Sequence, residues 1–463
     1  MTIASQSVGK IESPFTSAFG FSIGFILLLS FFLNQLGVPL VPLALVFGSA
    51  VCLWLVFRHP VGSLGLFLAV MPLYPLTFLL GKFFEPSYAT FLAGCDRVGL
   101  LLLTCLLLCR NRITLTTPDW FLMAAFFMAV VRLSFDGTVL PLLSDFNFII
   151  AYAAGRVTIL TPQQEKSWAK RAVWIVALLS VVGMGEVFLI GDAPRTLLYL
   201  SVAEGATDAK GLNATFHADG FVGLRESSTM FGPLQFASLC LAAVVFWWVY
   251  CRNPLAAVMV AAGLICSLTR SAWMGTAVAI SALAVLMRNA KRLLLFGVLF
   301  LSLLAASLPL LGLGDFLTRN KTGEDYSMQG HKESILDGLK FIAEHPFGVG
   351  PGNAGSYATK ENANGVFIEN TYETLAAEYG ILTSICFLGF IVSALITSWR
   401  IRREIGYVAF GILVGFATVI FVSPMHQDFN LATWIWFPVG LAVRSSLASK
   451  GAQASATSLG TSS

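Results

Sequence analysis

The hydrophobic positions of this chain fall in near-continuous runs, separated by short polar links. The runs lie at roughly 17–34, 39–57, 61–80, 88–108, 119–135, 139–160, 169–190, 228–250, 254–269, 272–287, 293–313, 371–397, 407–423 and 429–444. About 20 apolar residues make a helix that crosses a ~30 Å hydrocarbon core. Alternating segments of about ten residues, as in a membrane β-barrel, are not the pattern here. Backbone in lipid must satisfy its own hydrogen bonds, so the runs predict helices. The expected fold is all-α, a polytopic bundle of about 12–14 spans. One run needs dividing. Residues 254–287 would reach about 50 Å as a single helix, and basic residues flank both ends. They read as a hairpin turning at Thr269-Arg270-Ser271. A single long tilted helix would invert everything downstream.

The polar links set an orientation. Arg58, Arg110 and Arg112, Lys166, Lys170 and Arg171, Arg252, Arg288, Lys291 and Arg292, and Arg400, Arg402 and Arg403 all fall on one face if the N-terminus is cytoplasmic. Residues 1–16 are then a cytoplasmic segment, 17–444 the membrane domain, and 445–463 a cytoplasmic tail. The tail is rich in Ser, Ala, Gly and Thr, a composition expected to be disordered. Two sizeable loops, about 191–227 and 314–370, fall outside.

Composition agrees: 56% of the 463 residues are hydrophobic and 12% charged, with mean hydropathy +0.78. The net charge of +4 comes from clusters that orientation explains, so no nucleic-acid partner is expected. The eight cysteines lie in or beside apolar runs without a CxxC pair, and read as small core residues. The N-terminal stretch lacks a small-residue cleavage site after its first run, so that run is expected to be retained.

The longest polar interruption carries the candidate chemistry. Residues 330–346 place Ile335, Leu336, Leu339, Ile342 and Ala343 at helical spacing. They predict an amphipathic helix over the membrane face or capping a cavity, with His331, Lys332 and Lys340 on its polar side. HPFGVGPGN, from His345 to Asn353, stops that helix and turns. It lacks the GK[ST] of a phosphate-binding P-loop, though its backbone could form an anion nest. ENTYETLAAEYG, from Glu369 to Gly380, then opens a helix. Glu369 could take a proton as a general base or favour the helix start as an acid. Glu373 and Glu378 are candidates to pair with outer-face cations.

Charges beside spans cost about 2.5–3.5 kcal/mol on insertion scales. Arg225 in GLRESSTMFGP and Arg270 in LTRSAWMG sit on the outer side beside small hydroxyl residues. A guanidinium fork suits phosphate; the alternative is interfacial snorkelling, or for Arg225 a pair with Glu226. Asp96-Arg97, Arg132, Asp145, Arg156 and Glu186 read as structural pairs. No nucleotide-binding fingerprint points to an ATP-driven pump. The first outer loop, around Asn34-Gln35, lacks the acidic pair of metal-dependent lipid-linked glycosyltransferases, so no metal is expected.

An arginine before a middle span, a T-R-S turn, an outer loop with an amphipathic helix and HPFGVGPGN, then N-x-Y and E-x-G follow in that order. This order resembles the O-antigen ligase and O-antigen polymerase superfamily, most specifically over 220–385. The resemblance implies a bacterial inner-membrane enzyme that transfers a glycan from an undecaprenyl-diphosphate carrier to an acceptor hydroxyl on the periplasmic side. The acceptor would be a glycan or a lipid-linked glycan, in contact with membrane lipid, without cofactor or metal. A chain-length regulator protein is a further candidate partner. Arg225 and Arg270 match the superfamily's arginines and would hold the diphosphate. Glu369 stands where ligases carry a histidine, which favours a polymerase of O-antigen, capsule or exopolysaccharide repeats. The alternatives are ligation onto lipid A-core and protein O-glycosylation. His331, Lys332, His345, Asn370 and Tyr372 are the expected substrate-binding residues. A transporter or flippase is the reading of a different class, but no inverted repeat is visible in the sequence.

Overall fold

The computed structural model describes residues 58–84, 87–135, 138–191, 215–218, 221–224, 228–230, 232–310, 326–355, 366, 368–423 and 425–460. Among these residues the regular elements are helices apart from one hairpin. Helices α1 (Pro60–Val70) and α2 (Tyr74–Phe84) are joined by a 3-10 turn, Met71–Leu73. There follow α3 (Ser87–Arg110), α4 (Thr117–Leu133), α5 (Val139–Asp145), α6 (Phe148–Val157) and α7 (Pro162–Gly185), the last ending in a π turn at Glu186–Ile190. Strands β1 (Thr215–Ala218) and β2 (Phe221–Leu224) pair antiparallel, Thr215 opposite Leu224. The remaining helices are α8 (Pro233–Tyr250), α9 (Pro254–Cys266), α10 (Arg270–Leu286), α11 (Ala290–Leu310), α12 (Tyr326–Glu344), α13 (Thr371–Tyr379), α14 (Ile381–Arg400), α15 (Glu404–Ile420) and α16 (Phe429–Gly460).

Five stretches among the described residues are long and apolar enough to cross a membrane: Pro60–Leu80, Pro162–Ile190, Pro233–Tyr250, Ala290–Ser307 and Ile381–Arg400. Shorter apolar helices, such as α9, α10 and α15, accompany them. The protein is an all-α polytopic membrane protein. The runs at 17–34 and 39–57 lie outside the described residues.

The long 254–287 run is two helices, as the length argument expects. Leu268 turns between them in the left-handed region, at φ +50°. Two other expected spans are broken. The 139–160 run divides at Phe146 and Asn147 into α5 and α6. The 371–397 run divides at Gly380, whose φ of +95° ends α13 before α14 begins. The tail expected to be disordered is instead helical, since α16 continues through 445–460.

Small residues let helices close on one another. Gly155 of α6 lies against the backbone of Phe437 and Gly440 on α16, and Gly440 lies against the carbonyl of Tyr152. Gly275 of α10 and Gly415 of α15 meet in the same manner. In lipid, where no hydrophobic effect drives helices together, such close approach supplies the packing. Around the first seam Phe148, Phe387, Phe390 and Trp436 form an aromatic core; the Phe148 and Trp436 ring centres are 4.9 Å apart.

The charge expected to be paired at Arg156 is paired. Its Nη2 lies 2.8 Å from Asp119 Oδ2, and Tyr152 donates to the same carboxylate at 2.8 Å. Asp119 also accepts from the backbone N–H of Thr116 at 2.7 Å, capping α4. A buried ion pair of this kind is tolerable only because its remaining lone pairs are met.

Candidate active site

α13 is nine residues long and carries both signals of the ENTYETLAAEYG segment. Asn370 is its N-cap, a preferred residue there because its side-chain oxygen can accept a free N–H of the first turn. That oxygen accepts from Tyr372 N at 2.9 Å, while Asn370 Nδ2 donates to Glu373 Oε1 at 3.3 Å. Asn370 is buried. Glu369, directly before it, is half-buried.

α12 lies against α13. Ile342 of α12 packs with Ala354, Ile368, Ala376 and Ala377, and Phe341, Val349 and Val366 pack around them. The contact is close because Gly338 has no side chain: a Cβ there would stand 2.5 Å from Glu373 Oε2. The apolar stripe expected of α12 is therefore split. Ile342 is buried, but Leu336 and Leu339 stay 57% and 54% exposed, because Gly338, Phe341 and Ile342 form the row that meets α13.

The glycine segment crosses the other end of α13. A helix leaves its last carbonyls without intrahelical donors. Here Val349 N donates to Ala377 O at 2.8 Å, and Gly350 N to Glu378 O at 2.9 Å. Gly352 N donates to the Glu378 carboxylate oxygen Oε1 at 3.2 Å. The strand of chain lies so close that a Cβ on Gly348, at φ +76°, would be 2.5 Å from Glu378 O. The sequence suggested an anion nest at these glycines. These N–H groups serve the last carbonyls of α13 and the Glu378 carboxyl.

Among the described residues neither Glu373 nor Glu378 pairs with a cation. Glu378 faces Asp145 at the end of α5. Asp145 accepts from Tyr379 Oη and from Gln427 Nε2, each at 2.6 Å, and its Oδ1 is 3.2 Å from His426 Nε2. His426 Nδ1 in turn lies 2.9 Å from Thr371 Oγ1. These groups lie outside the candidate spans, on α5, α13 and the Met425–Gln427 turn. Burial works against both carboxyls, but His426 and the other donors hold Asp145 below the usual carboxylate range. Burial and the neighbouring Asp145 push Glu378 well above it. Two carboxylates side by side cannot both ionise, so Glu378 keeps the proton.

The Oε2 atoms of Glu373 and Glu378 both lack a hydrogen-bond partner among the described residues, but Glu378 faces Asp145. Glu373, 7% exposed, has no second carboxyl recorded against it. Burial raises it to about 7, the Asn370 hydrogen bond pulling the other way.

The other expected site residues are dispersed. Arg225 lies outside the described residues, but Ser228 and Thr229 after it are pinned, donating to the carbonyls of Leu179 at 2.7 Å and Pro72 at 2.6 Å. Arg270 opens α10 and is exposed; α10 packs on α8 and α15. Lys332 is exposed on α12, and His331 falls in the same helix with its side chain outside the description. His345 is exposed and stacks on Phe341 with ring centres 4.6 Å apart. Tyr372 is half-buried, and burial pushes its hydroxyl up to about 12.

The sequence reading missed the Asp145, Glu378 and His426 cluster. Its one signal was MHQD at 425–428, four residues that are polar or flexible between two apolar runs. Nothing in the sequence links it to Asp145, 281 positions earlier.

The segment that builds this site, residues 255–388, matches the family described as O-antigen ligase. The chain carries an O-antigen ligase domain. By this segment the chain is similar to the O-antigen ligase family, and the match supports a ligase- or polymerase-type function in general. The match takes in α10, α12, the glycine segment and all of α13. No curated protein sequence matches the chain.

Proposed function

We propose that the protein is a periplasmic-side glycosyltransferase of the bacterial inner membrane. It moves a glycan from undecaprenyl diphosphate to an acceptor sugar hydroxyl, and polymerises O-antigen, capsule or exopolysaccharide repeat units. The observation that carries this reading is the O-antigen ligase match over the segment that holds α12 against α13 and presents acids at the start of α13. Leu336, Leu339 and Phe347, exposed along α12 and just after it, suit a helix lying on the membrane surface.

Arg225 and Arg270 grip the diphosphate, and their charge grows in value as the leaving group gains negative charge. A carboxylate at the start of α13 takes the proton of the attacking hydroxyl, and Glu369 is the residue at the superfamily's base position. The lipid diphosphate is itself the leaving group, so the transfer draws on no nucleotide sugar.

Deletion of the gene followed by analysis of surface glycans tests the reaction. Single-repeat products identify a polymerase, and long chains stranded on the carrier lipid identify a ligase instead. Arg270→Ala and Arg225→Ala should each abolish transfer while leaving the protein in the membrane. Polymer of normal length in both variants would sink the diphosphate role.

A further inference from the structure

Glu373 is one helical turn beyond Glu369 and stands in the first turn of α13. Its carboxyl is more than nine-tenths buried between α13 and the bare backbone of Gly338 on α12. One oxygen takes the Asn370 amide; the other takes nothing. An unmet buried acceptor costs about 1–3 kcal/mol, and a purely structural role offers no return for it. Glutamine or an apolar residue would fill this first-turn position without burying an ionisable group, since Asn370 is the cap. The helix N-terminus favours the charged form locally, which keeps the group able to ionise despite its burial.

Among the described residues no charged side chain acts on it. The charged side chains of α12 from Lys332 onward, Lys332, Glu333, Asp337, Lys340 and Glu344, are exposed. α14 carries no charge before Arg400, and on α4 Asp119 is held by Arg156 while Arg132 ends the helix. On α13 itself Glu378 is at the far end facing Asp145, and His426 reaches the helix at Thr371. Glu369 precedes the cap and is only half-buried.

We propose that Glu373, and not Glu369, is the base that removes the proton from the acceptor hydroxyl. This rests on the glycosyltransferase reading above. The acceptor O–H proton passes to Glu373 Oε2 as the acceptor oxygen bonds to the anomeric carbon. The bond from that carbon to the phosphate oxygen breaks, and its electron pair leaves on the lipid diphosphate. Glu373 returns the proton to water before the next cycle. Because Oε2 lies against the Gly338 backbone, the acceptor reaches it only as α12 parts from α13 there.

The test compares Glu373→Gln with Glu369→Gln in membranes supplied with the lipid-diphosphate-linked repeat unit. Glu373→Gln should lower kcat by about a hundredfold or more, the usual worth of a general base, with donor KM little changed. The wild-type rate should rise with pH through about 7, and that limb should vanish in Glu373→Gln. Its thermal unfolding at pH 8 should move up or stay in place, because a buried charge has gone. A structural cap would instead lose stability there. Glu369→Gln should keep the limb. A Glu373→Gln enzyme with ordinary turnover and an intact limb overturns the assignment, as does loss of the limb in Glu369→Gln. A wild type that transfers nothing overturns the reaction itself; a competent wild type beside an unaffected Glu373→Gln overturns only the base.

Discussion

The two ends of α13 treat a carboxyl in opposite ways. At the C-terminal end, Glu378 is surrounded by groups that answer it: Gly352 N–H on one oxygen, Asp145 beside it, and Tyr379, Gln427 and His426 collected on Asp145. At the N-terminal end, Glu373 has a single amide and an oxygen facing a glycine. Both are buried, and both are pushed up in pKa. Only the first is raised by a partner that also fixes the fold. Burial alone raises the second. A buried acid locked into a network holds elements together, whereas one left partly unmet is available for chemistry.

This contrast can be broken at several points. The largest effect is expected at Asp145→Ala, which leaves Tyr379, Gln427 and His426 without their shared acceptor. Breaking a buried charged network typically costs about 3–5 kcal/mol, read by thermal unfolding in detergent. A loss under about 1 kcal/mol would mean that the C-terminal end is not the lock described. Gly348→Ala should come next, at roughly 2–3 kcal/mol, since it combines a left-handed backbone with a clash against the Glu378 carbonyl. Glu378→Gln, which keeps a donor toward Asp145 and an acceptor for Gly352, should be far milder than Glu378→Ala.

At the N-terminal end, Asn370→Ala should cost about 1 kcal/mol, the worth of a cap. It should also raise the pKa of Glu373 further, because the one hydrogen bond that lowers it is removed. The wild-type stability should carry the signature of Glu373. Its folded pKa of about 7 lies above the ordinary 4.5, so the folded state holds the proton more tightly. The stabilisation is complete below about 4.5 and is lost as pH rises through about 7. Chemical denaturation across that range should show stability falling with pH, and Glu373→Gln should flatten that part of the slope. Lys332→Ala, on the exposed side of α12, should change stability by less than about 0.5 kcal/mol. If it lowers transfer instead, it marks where the acceptor or the membrane approaches.

Much of the helical framework was legible in the pattern of the chain. Length divided the 254–287 run correctly, because the rise of a helix is fixed. Periodicity found α12. The breaks at Phe146–Asn147 and Gly380 were missed, since apolar residues continue across both and hydropathy does not register a turn. The helix through 445–460 was missed because composition favoured a disordered tail.

The site was legible in its address but not in its wiring. Sequence order placed the chemistry at the outer end of α13 and linked the segment to its superfamily. It read Glu369 as a candidate base or helix-start acid and Glu373 and Glu378 as partners for outer-face cations, because nothing local shows which of them is buried. Which acid meets a glycine backbone and which meets a second carboxyl depends on α12 and α5, brought in from distant parts of the chain. Burial and partnership set the state of a carboxyl, and both are properties of neighbours in space. The sequence by itself determined a helical membrane protein with an acid-bearing helix after a glycine turn. The tertiary structure alone decided that Glu378 is a lock and Glu373 a half-met acid.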